Sequence, residues 1–188
     1  IALLEEKGEE DRFLLGFEES YGYLSGGYVR DKDAVDASML ICQMAWCYKQ
    51  KGMTLADAMD ALYEQFGYYK NDVANFAFEG EDGMKAMASI MDSLRANAPA
   101  EIAGWKVIGW SDYQASVRSD AGVETAITLP KSNVLEYRLE NGAKLIVRPS
   151  GREPKIKVYL SGKGATDAES REVVERLRAQ AKPLLGIQ

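Results

Sequence analysis

Apolar residues recur at helical spacing through the first third of the chain. A helix with a glycine as its stop is predicted over residues 33–51, because apolar positions there return every three or four residues. These positions are Ala37, Leu40, Ile41, Met44 and Tyr48. A second helix follows up to Gly67, since Thr54 and Asp57 resemble a capping box ahead of another apolar run. With a short strand predicted at 13–17, this region consists of two helices beside one strand.

Past residue 70 the pattern changes mainly to strands. The predicted elements are a strand at 73–78, a helix at 81–97, a strand at 102–113 and a hairpin of strands 134–139 and 143–147. Asn141–Gly142 joins the hairpin and suits a type I′ turn, in which both residues have positive φ. Residues 112–125 are polar enough to form a mobile surface excursion.

Residues 155–160 alternate between apolar and polar positions, which is typical of a strand that buries one face. The predicted buried face holds Ile156, Val158 and Leu160, and the other face holds Lys155, Lys157 and Tyr159. A final helix is predicted after Thr166 and Glu169, which form another capping box. The second part therefore has the order β-α-β-β-β-β-α, an α+β arrangement, and we predict domains at 1–67 and 70–188.

The composition excludes several classes of protein. With 188 residues and 46% apolar content the chain can bury a core, and its net charge of -6 argues against a nucleic-acid partner. No apolar stretch approaches the roughly 20 residues that span a bilayer, so no membrane partner is expected. Cys42 and Cys47 are too few for a disulfide scaffold, which favours a reducing, cytoplasmic setting. Because the first residue is Ile1 rather than methionine, we expect the sequence to be cut from a longer one.

The segment 148–157, RPSGREPKIK, has the chemistry of a phosphate site between two strands. Arg148 offers a planar fork of donors, Ser150 a hydroxyl group, and Gly151 a backbone that can turn successive N–H groups towards an anion. Lys157 adds a point charge. Phosphate or sulfate is expected at residues 148–152. On residue types alone, a proline-bounded turn with solvated cations is the commoner explanation of such a loop.

The segment 16–22, GFEESYG, is a second candidate site after the first predicted strand. Carboxylates beside a hydroxyl group can accept hydrogen bonds from adjacent sugar hydroxyls. The same residues could hold a metal ion or form an ordinary solvated turn. The charged run 30–33 precedes the first long helix, and it is interpreted either as alternating charge at a helix start or, through Lys32, as an active-site cation.

Together, these two segments resemble the α-D-phosphohexomutase family, and within it the bacterial phosphoglucomutases. Further matches run along nearly the whole chain, at Val29–Asp33, Gly67–Tyr69 and Leu129–Val134. The resemblance implies that residues 1–67 are the latter part of the family's third domain, an α/β stub with a strand and two helices of a doubly wound fold. Residues 70–188 would be its fourth domain, an antiparallel sheet with two helices, similar in shape to the TATA-binding protein.

The resemblance implies roles for residues of the first segment. It makes Glu18 and Ser20 the contacts to the 3- and 4-hydroxyl groups of the sugar, with Glu19 shaping the loop between them. Lys32 becomes a candidate catalytic cation of the active site. These roles imply a hexose phosphate as the partner of the chain.

In the second segment, the resemblance implies a clamp on the phosphate that is not being transferred. The clamp consists of Arg148, Ser150, Gly151 and Arg152, with Lys157 nearby. The family usually has threonine at the position of Arg152. Here a hydroxyl donor is therefore replaced by a longer cation, and the loop should still bind an anion.

The reaction implied by the resemblance is that of an isomerase in carbohydrate metabolism. Such an enzyme interconverts glucose 1-phosphate and glucose 6-phosphate through a phosphoserine, with Mg²⁺ and a glucose 1,6-bisphosphate intermediate. The chain contains no histidine, and therefore no Thr-Ala-Ser-His-Asn serine motif, and it has no Asp-Gly-Asp-x-Asp magnesium loop. We expect both to lie on missing N-terminal domains, so that this chain alone binds no metal and has no mutase activity.

Two alternatives to this interpretation stay open at the level of the sequence. A stand-alone sugar-phosphate-binding module could use the same loops without catalysis. A phosphomannomutase of the same family would share the motifs and prefer another sugar. A nucleic-acid reader built on the saddle-shaped fold is disfavoured, because the chain is acidic and has no basic stripe with interleaved aromatic residues.

Overall fold

The computed structural model describes residues 1–18, 21–78, 80, 82–151 and 153–187. The chain divides into two units, 1–62 and 63–188. Throughout the described ranges, no helix is long and apolar enough to cross a membrane. The elements up to residue 66 are α1 (Ala2–Glu5), a 3₁₀ turn (Glu10–Arg12), β1 (Leu15–Phe17), β2 (Tyr23–Ser25), α2 (Ala34–Gln50) and α3 (Leu55–Phe66).

The helices α2 and α3 begin at the capping residues that the sequence predicts. The carboxylate of Asp33 accepts hydrogen bonds from the backbone amides of Val35 and Asp36, at 2.9 and 3.1 Å. At α3, the Asp57 amide donates to the Thr54 hydroxyl at 3.1 Å, and the Thr54 amide donates to the Asp57 carboxylate at 2.7 Å. The bond from the Asp36 amide lowers the pKa of Asp33, and that from the Thr54 amide lowers the pKa of Asp57. Both predicted helices are confirmed.

A short hairpin precedes α2, where the sequence predicts only one strand. β1 pairs with β2 in antiparallel fashion, with Phe17 opposite Tyr23. The buried carboxylate of Asp36 accepts hydrogen bonds from the backbone N–H and the hydroxyl group of Ser25, at 3.0 and 2.6 Å. These bonds satisfy Asp36 and anchor β2 to α2. The predicted strand at 13–17 is thus shorter than expected and has a partner that sequence periodicity does not reveal.

Much of the apolar surface up to residue 66 is exposed. Trp46 on α2 and Phe66 at the end of α3 are each 62% exposed. Other exposed large apolar side chains on these helices are Val35, Met39, Ile41, Met44, Met59 and Leu62. The hydrophobic residues that α2 and α3 do bury are the small Ala37 and Ala58. The two helices therefore expose several large apolar side chains, which proteins normally cover when they lie side by side.

The rest of the chain forms an antiparallel sheet with two long helices. Its elements are β3 (Tyr68–Ala77), α4 (Gly83–Ala96), β4 (Glu101–Ile102), β5 (Trp105–Asp112), β6 (Val117–Asp120), β7 (Val123–Ala126), β8 (Leu135–Leu139), β9 (Lys144–Pro149), β10 (Lys155–Gly164) and α5 (Asp167–Leu184). The strand order is β3-β10-β9-β8-β5-β6-β7, and β4 pairs with β5. The predicted α+β class is confirmed.

The core of this unit lies on one face of the sheet. Ile156, Val158 and Leu160 of β10 are fully buried in it, as the alternating sequence predicts. The helix α4 contributes Met91 to the same core and α5 contributes Leu177. Lys155, Lys157 and Tyr159 lie on the opposite side of β10 and are half-buried. That opposite side, called the polar face below, carries the cations of the second candidate site.

Two-residue turns join β4 to β5 and β6 to β7. Ala103 and Gly104 have φ values of 54° and 82°, and Ala121 and Gly122 have values of 50° and 84°, as type I′ turns require. The first turn divides the predicted long strand into β4 and β5. The second joins two paired strands, β6 and β7, in the segment 112–125, which the sequence predicts as a surface excursion without indicating its strands. All positions of β7 are exposed, and such a strand shows no apolar alternation in its sequence.

The connection between β8 and β9 confirms the predicted hairpin but not its predicted turn type. Gly142 has a φ of 81°, whereas Asn141 is outside the positive region. The Gly142 amide donates to the Leu139 carbonyl at 2.9 Å, and the Leu139 amide donates to the Ala143 carbonyl at the same distance. The loop therefore spans three residues, as in a type I turn that is followed by a left-handed glycine.

Arg138 on β8 ties neighbouring strands together on the polar face. Its guanidinium donates to the carboxylate of Asp120 at 2.7 and 3.0 Å, to the Ser111 hydroxyl at 2.8 Å and to Glu136 at 2.9 Å. Gly109 lies beside it: an added Cβ would be 2.8 Å from the guanidinium and 2.6 Å from Asp120. The arginine can reach across the sheet because β5 has no side chain at this position.

Candidate functional site

Arg148 and Lys157 bring two cationic side chains together on neighbouring strands. They lie directly opposite each other in the antiparallel pair of β9 and β10. The Cβ atoms of such a pair are about 4.5–5.5 Å apart, and like charges in these positions are unfavourable. Arg148 is exposed and Lys157 is half-buried, so both remain accessible. An anion bound between them would relieve this repulsion.

Neither of these two side chains has a hydrogen bond or an ion pair with any residue that the structure describes. The carboxylate of the intervening loop, Glu153, is engaged in an ion pair with Lys155. Lys155 lowers the pKa of Glu153, and Lys157 contributes more weakly in the same direction. The donors of Arg148 and Lys157 therefore stay available for a ligand.

The loop after Arg148 is closed by its own hydrogen bonds. The Ser150 amide donates to the Lys155 carbonyl at 2.8 Å, and the Glu153 amide donates to the Ser150 hydroxyl at 3.3 Å. The predicted nest of successive N–H groups is therefore smaller than expected, because the Ser150 amide already has an acceptor. Gly151 has open space where a Cβ would lie, and its φ is not left-handed. It leaves room for a ligand without being needed for the turn.

A third side chain lies in line with the two cations. Asn75 on β3 is opposite Lys157, so Asn75, Lys157 and Arg148 form a row across three strands. Asn75 is exposed, and its amide group can both donate and accept hydrogen bonds. Sequence reasoning missed Asn75, since only the pairing register brings it beside the motif. Arg152, the remaining predicted member of this site, lies outside the described residues.

The first candidate site lies in the loop between β1 and β2. The Glu18 amide donates to the Gly22 carbonyl at 3.0 Å and closes the loop. Tyr21 has a left-handed φ of 64°, an unfavourable conformation for a residue with a side chain. Glu18, Gly22 and Lys32 line an open cavity of about 330 Å³ beside the hairpin. The predicted residues Glu19 and Ser20 lie outside the described residues.

The fold brings Lys32 and Glu18 together, although Lys32 belongs to the charged run 30–33 and Glu18 to the segment 16–22. Lys32 Nζ lies 3.2 Å from Glu18 Oε1, and the two side chains are 54% and 40% exposed. Asp33, the residue after Lys32, caps α2. For Asp33, this confirms the interpretation of the charged run as a helix start. Gly22, which lies beneath the lysine, belongs to the predicted segment 16–22, but the sequence does not indicate its role. Across the described ranges, no group of three His, Cys, Asp or Glu residues is placed to hold a metal ion.

Models of known protein families match both units of the chain. The model described as phosphoglucomutase/phosphomannomutase, alpha/beta/alpha domain III, matches residues 2–66. The model described as phosphoglucomutase/phosphomannomutase, C-terminal domain, matches residues 74–180. The first match contains the loop of Glu18 and the second contains the row on the polar face.

Individual relatives give the same picture. The phosphoglucomutase of Staphylococcus haemolyticus (strain JCSC1435) is 40% identical over 160 residues, which cover 84% of this chain and 29% of that protein. The phosphoglucomutase of Staphylococcus epidermidis (strain ATCC 12228) is 36% identical over 154 residues, covering 81% of this chain and 28% of its own. The chain thus spans less than a third of the length of these curated relatives.

A solved structure shares the fold. The crystal structure of the exocytosis-sensitive phosphoprotein pp63/parafusin, a phosphoglucomutase from Paramecium in an open form, matches with a TM-score of 0.60. The match covers 97% of this chain and 31% of that one, at 14% sequence identity. At that identity the likeness concerns the fold alone.

Proposed function

We infer the function of this chain from the family to which it belongs, the phosphoglucomutase/phosphomannomutase family. We propose that the chain supplies substrate recognition to a phosphoglucomutase. The whole enzyme would interconvert glucose 1-phosphate and glucose 6-phosphate. The observation that carries the proposal is the cross-strand pair of Arg148 and Lys157, which has no partner among the described residues. Two facing cations are unfavourable on their own, and a phosphate group would stabilise them.

The phosphate site would hold the phosphate group that is not being transferred. Its proposed members are Arg148, Ser150, Gly151, Arg152 and Lys157. During the reaction a glucose 1,6-bisphosphate intermediate would turn over, so that each phosphate is held once and transferred once. A guanidinium fork and an ammonium group suit this task, because they hold any phosphate dianion firmly without reacting with it. The same groups would take free phosphate or sulfate.

The sugar site would lie in the loop between β1 and β2. Glu18 would accept hydrogen bonds from the 3- and 4-hydroxyl groups of the hexose, and Ser20 could both accept from them and donate to them. Glu19 would shape the loop. The ion pair of Glu18 with Lys32 supports this assignment, because it holds the carboxylate beside the open cavity.

Phosphoryl transfer itself would depend on parts that this chain does not supply. In such enzymes Mg²⁺ neutralises charge on the transferred phosphoryl group. We assign its ligands and the reactive serine to N-terminal domains of a longer protein, of the length seen in the relatives. The chain itself would contribute domains 1–67 and 70–188.

The exposed apolar surface of α2 and α3 supports this division of labour. Side chains such as Trp46 and Phe66 would be covered by the preceding part of the same domain, which would make those N-terminal domains the main partner of the chain. Cys42 and Cys47 are free thiols, in keeping with a proposed cytoplasmic location.

The proposal is tested with the purified, isotope-labelled chain in two assays. Inorganic phosphate should shift the amide signal of Gly151 in NMR spectra, and glucose 6-phosphate should shift those of Gly16 and Leu24 as well. Glucose 1-phosphate should not be converted, even with Mg²⁺ and glucose 1,6-bisphosphate added.

Conversion by the chain, with host enzyme excluded, would overturn its assignment to recognition alone. An absence of any phosphate effect at Gly151 would overturn the phosphate site. A stronger response to mannose 6-phosphate than to glucose 6-phosphate would replace the phosphoglucomutase assignment by a phosphomannomutase.

A further inference from the structure

The side chain of Lys32 lies directly against the backbone of Gly22. An added Cβ at Gly22 would be 2.3 Å from Lys32 Cδ and 2.7 Å from Lys32 Cγ, which is closer than real Cβ atoms come to other atoms. It would also be 2.7 Å from Glu18 Oε1. Gly22 is buried, and its φ is not in the left-handed region. The glycine is therefore required for space rather than for its backbone conformation.

Two backbone hydrogen bonds hold the partners of this contact in place. The Glu18 amide donates to the Gly22 carbonyl at 3.0 Å, and the Asp33 amide donates to the Tyr23 carbonyl at 2.9 Å. The first bond fixes the residue that carries the carboxylate, and the second fixes the residue next to Lys32. With both ends held, the lysine stem crosses Gly22 and its ammonium group reaches Glu18 at 3.2 Å.

The paired groups have complementary hydrogen-bonding capacity. An ionised carboxylate only accepts hydrogen bonds and an ammonium group only donates them, whereas each hydroxyl group of a sugar does both. Glu18 and Lys32 together can therefore satisfy two neighbouring hydroxyl groups, which the carboxylate alone cannot. Because the lysine stem is already packed across Gly22, part of its conformational freedom is lost before the ligand binds.

We propose that Lys32 is a positioning residue for the sugar-binding carboxylate, and that Gly22 makes this possible by leaving room for the lysine stem. The inference rests on the proposed function of this loop in binding hexose phosphates. The pair selects ligands that present two adjacent free hydroxyl groups. Lys32 holds Glu18 in place and donates beside it to the same hydroxyl groups, and the phosphate row on the polar face works independently of both.

Gly22→Ala and Gly27→Ala form a matched pair of variants. Gly27 has nothing within 4 Å of an added Cβ, and its φ is not left-handed, so alanine fits there without strain. At Gly22 the added methyl group meets the flexible lysine side chain, which can move away at little cost in stability. Both variants should therefore unfold at similar temperatures, while only Gly22→Ala separates Lys32 from Glu18. The carboxyl ¹³C signal of Glu18 should shift in Gly22→Ala and stay in place in Gly27→Ala.

Binding is then measured on the labelled 188-residue chain with glucose 6-phosphate and, separately, with inorganic phosphate. At the Gly16 and Leu24 amides, Gly22→Ala and Lys32→Met should weaken glucose 6-phosphate binding about tenfold relative to Gly27→Ala, as expected for loss of one well-placed hydrogen-bonding group. Lys32→Arg should retain most of the affinity, because it keeps a donor there. Inorganic phosphate binding at Gly151 should be the same in all variants.

The outcomes separate this inference from the proposed function. Equal affinity for glucose 6-phosphate in Gly22→Ala and Gly27→Ala would show that the positioning role is wrong, while sugar binding stands. Equal affinity in Lys32→Met and the parent chain would lead to the same conclusion. If glucose 6-phosphate leaves the loop amides of the parent chain unchanged, the proposed sugar site fails and the positioning role fails with it.

Discussion

Lys144 and Arg148 project from the same face of β9, but they have different partners on β10. Lys144 lies opposite Ser161, whereas Arg148 lies opposite Lys157. Because a strand rises about 3.3 Å per residue, side chains four positions apart are separated by about 13 Å. On its other side Lys144 lies opposite Arg138 of β8, whose guanidinium is bound by Asp120 and Glu136. Arg148 therefore faces a cation that has no acidic partner among the described residues, and Lys144 is a matched control for its role.

Arg148→Ala should weaken phosphate binding about ten- to a hundredfold, because hydrogen bonds from a charged group are worth roughly 1.5–3 kcal/mol. Lys144→Ala removes the same charge from the same strand, and it should change the affinity by less than about threefold at physiological salt, where distant charges are screened. Calorimetric titration with inorganic phosphate measures both variants. Unchanged affinity in Arg148→Ala would place the phosphate site elsewhere.

A second prediction concerns Arg152, for which the sequence alone provides the argument. Its guanidinium should join the phosphate site, so that Arg152→Thr weakens phosphate binding by about five- to tenfold when a charged donor is replaced by a neutral one. A ³¹P NMR titration at fixed ionic strength compares the variant with the parent chain. Equal affinity would mean that only the backbone N–H of this residue takes part.

The ion pair between Asp72 on β3 and Arg178 on α5 predicts a pH dependence of stability. The hydrogen bond from Arg178 lowers the pKa of Asp72 in the folded protein. Such a carboxyl group stabilises the fold above its unfolded pKa of about 3.9, and this contribution is lost as the pH falls through the lower folded value. Asp72→Asn should therefore cost up to about 1 kcal/mol at neutral pH, since both side chains are partly exposed.

In strong acid the same substitution should have little effect, because the parent carboxyl group is then protonated. Urea unfolding of the two proteins at neutral and at strongly acidic pH gives the comparison. An equal loss of stability under both conditions would show that the ion pair is not the cause.

Gly109→Ala should destabilise the second unit by about 1–3 kcal/mol, the usual cost of forcing atoms into a filled space. The added Cβ would meet the Ser119 carbonyl at 2.9 Å and the Arg138 guanidinium at 2.8 Å. Gly151→Ala is the matched control, since that position has open space and a φ that alanine can adopt. Thermal unfolding distinguishes the two. Similar stability of both variants would mean that β5 and its neighbouring strands move apart to accept the added methyl group without loss of stability.

The helices of this protein are easier to predict from sequence than its strands. The start of α2 is fixed by Asp33, and that of α5 by Thr166, whose hydroxyl accepts from the Glu169 amide at 3.2 Å. These interactions are local, so the order of residues suffices to find them. By contrast, β6 and β7 are short and largely exposed, and their pairing depends on residues elsewhere in the chain.

For the candidate sites, the motifs predict the residues but not their arrangement. That Arg148 faces Lys157 depends on the register of β9 and β10, and a slip of one residue would turn one side chain to the other face. The role of Gly22 and the membership of Asn75 cannot be predicted from the sequence for a similar reason. The space beneath Lys32 and the place beside Lys157 exist only in three dimensions.

The pairing of β3 with β10 determines when the second unit can fold during synthesis. Tyr68 lies opposite Gly164, and Ala77 lies opposite Lys155. A ribosome releases β3 long before it has made β10, so the nascent strand waits with that edge unpaired, and contacts so distant along the chain form slowly. Translation that stops before residue 155 therefore leaves an unfolded, aggregation-prone polypeptide rather than a smaller working domain.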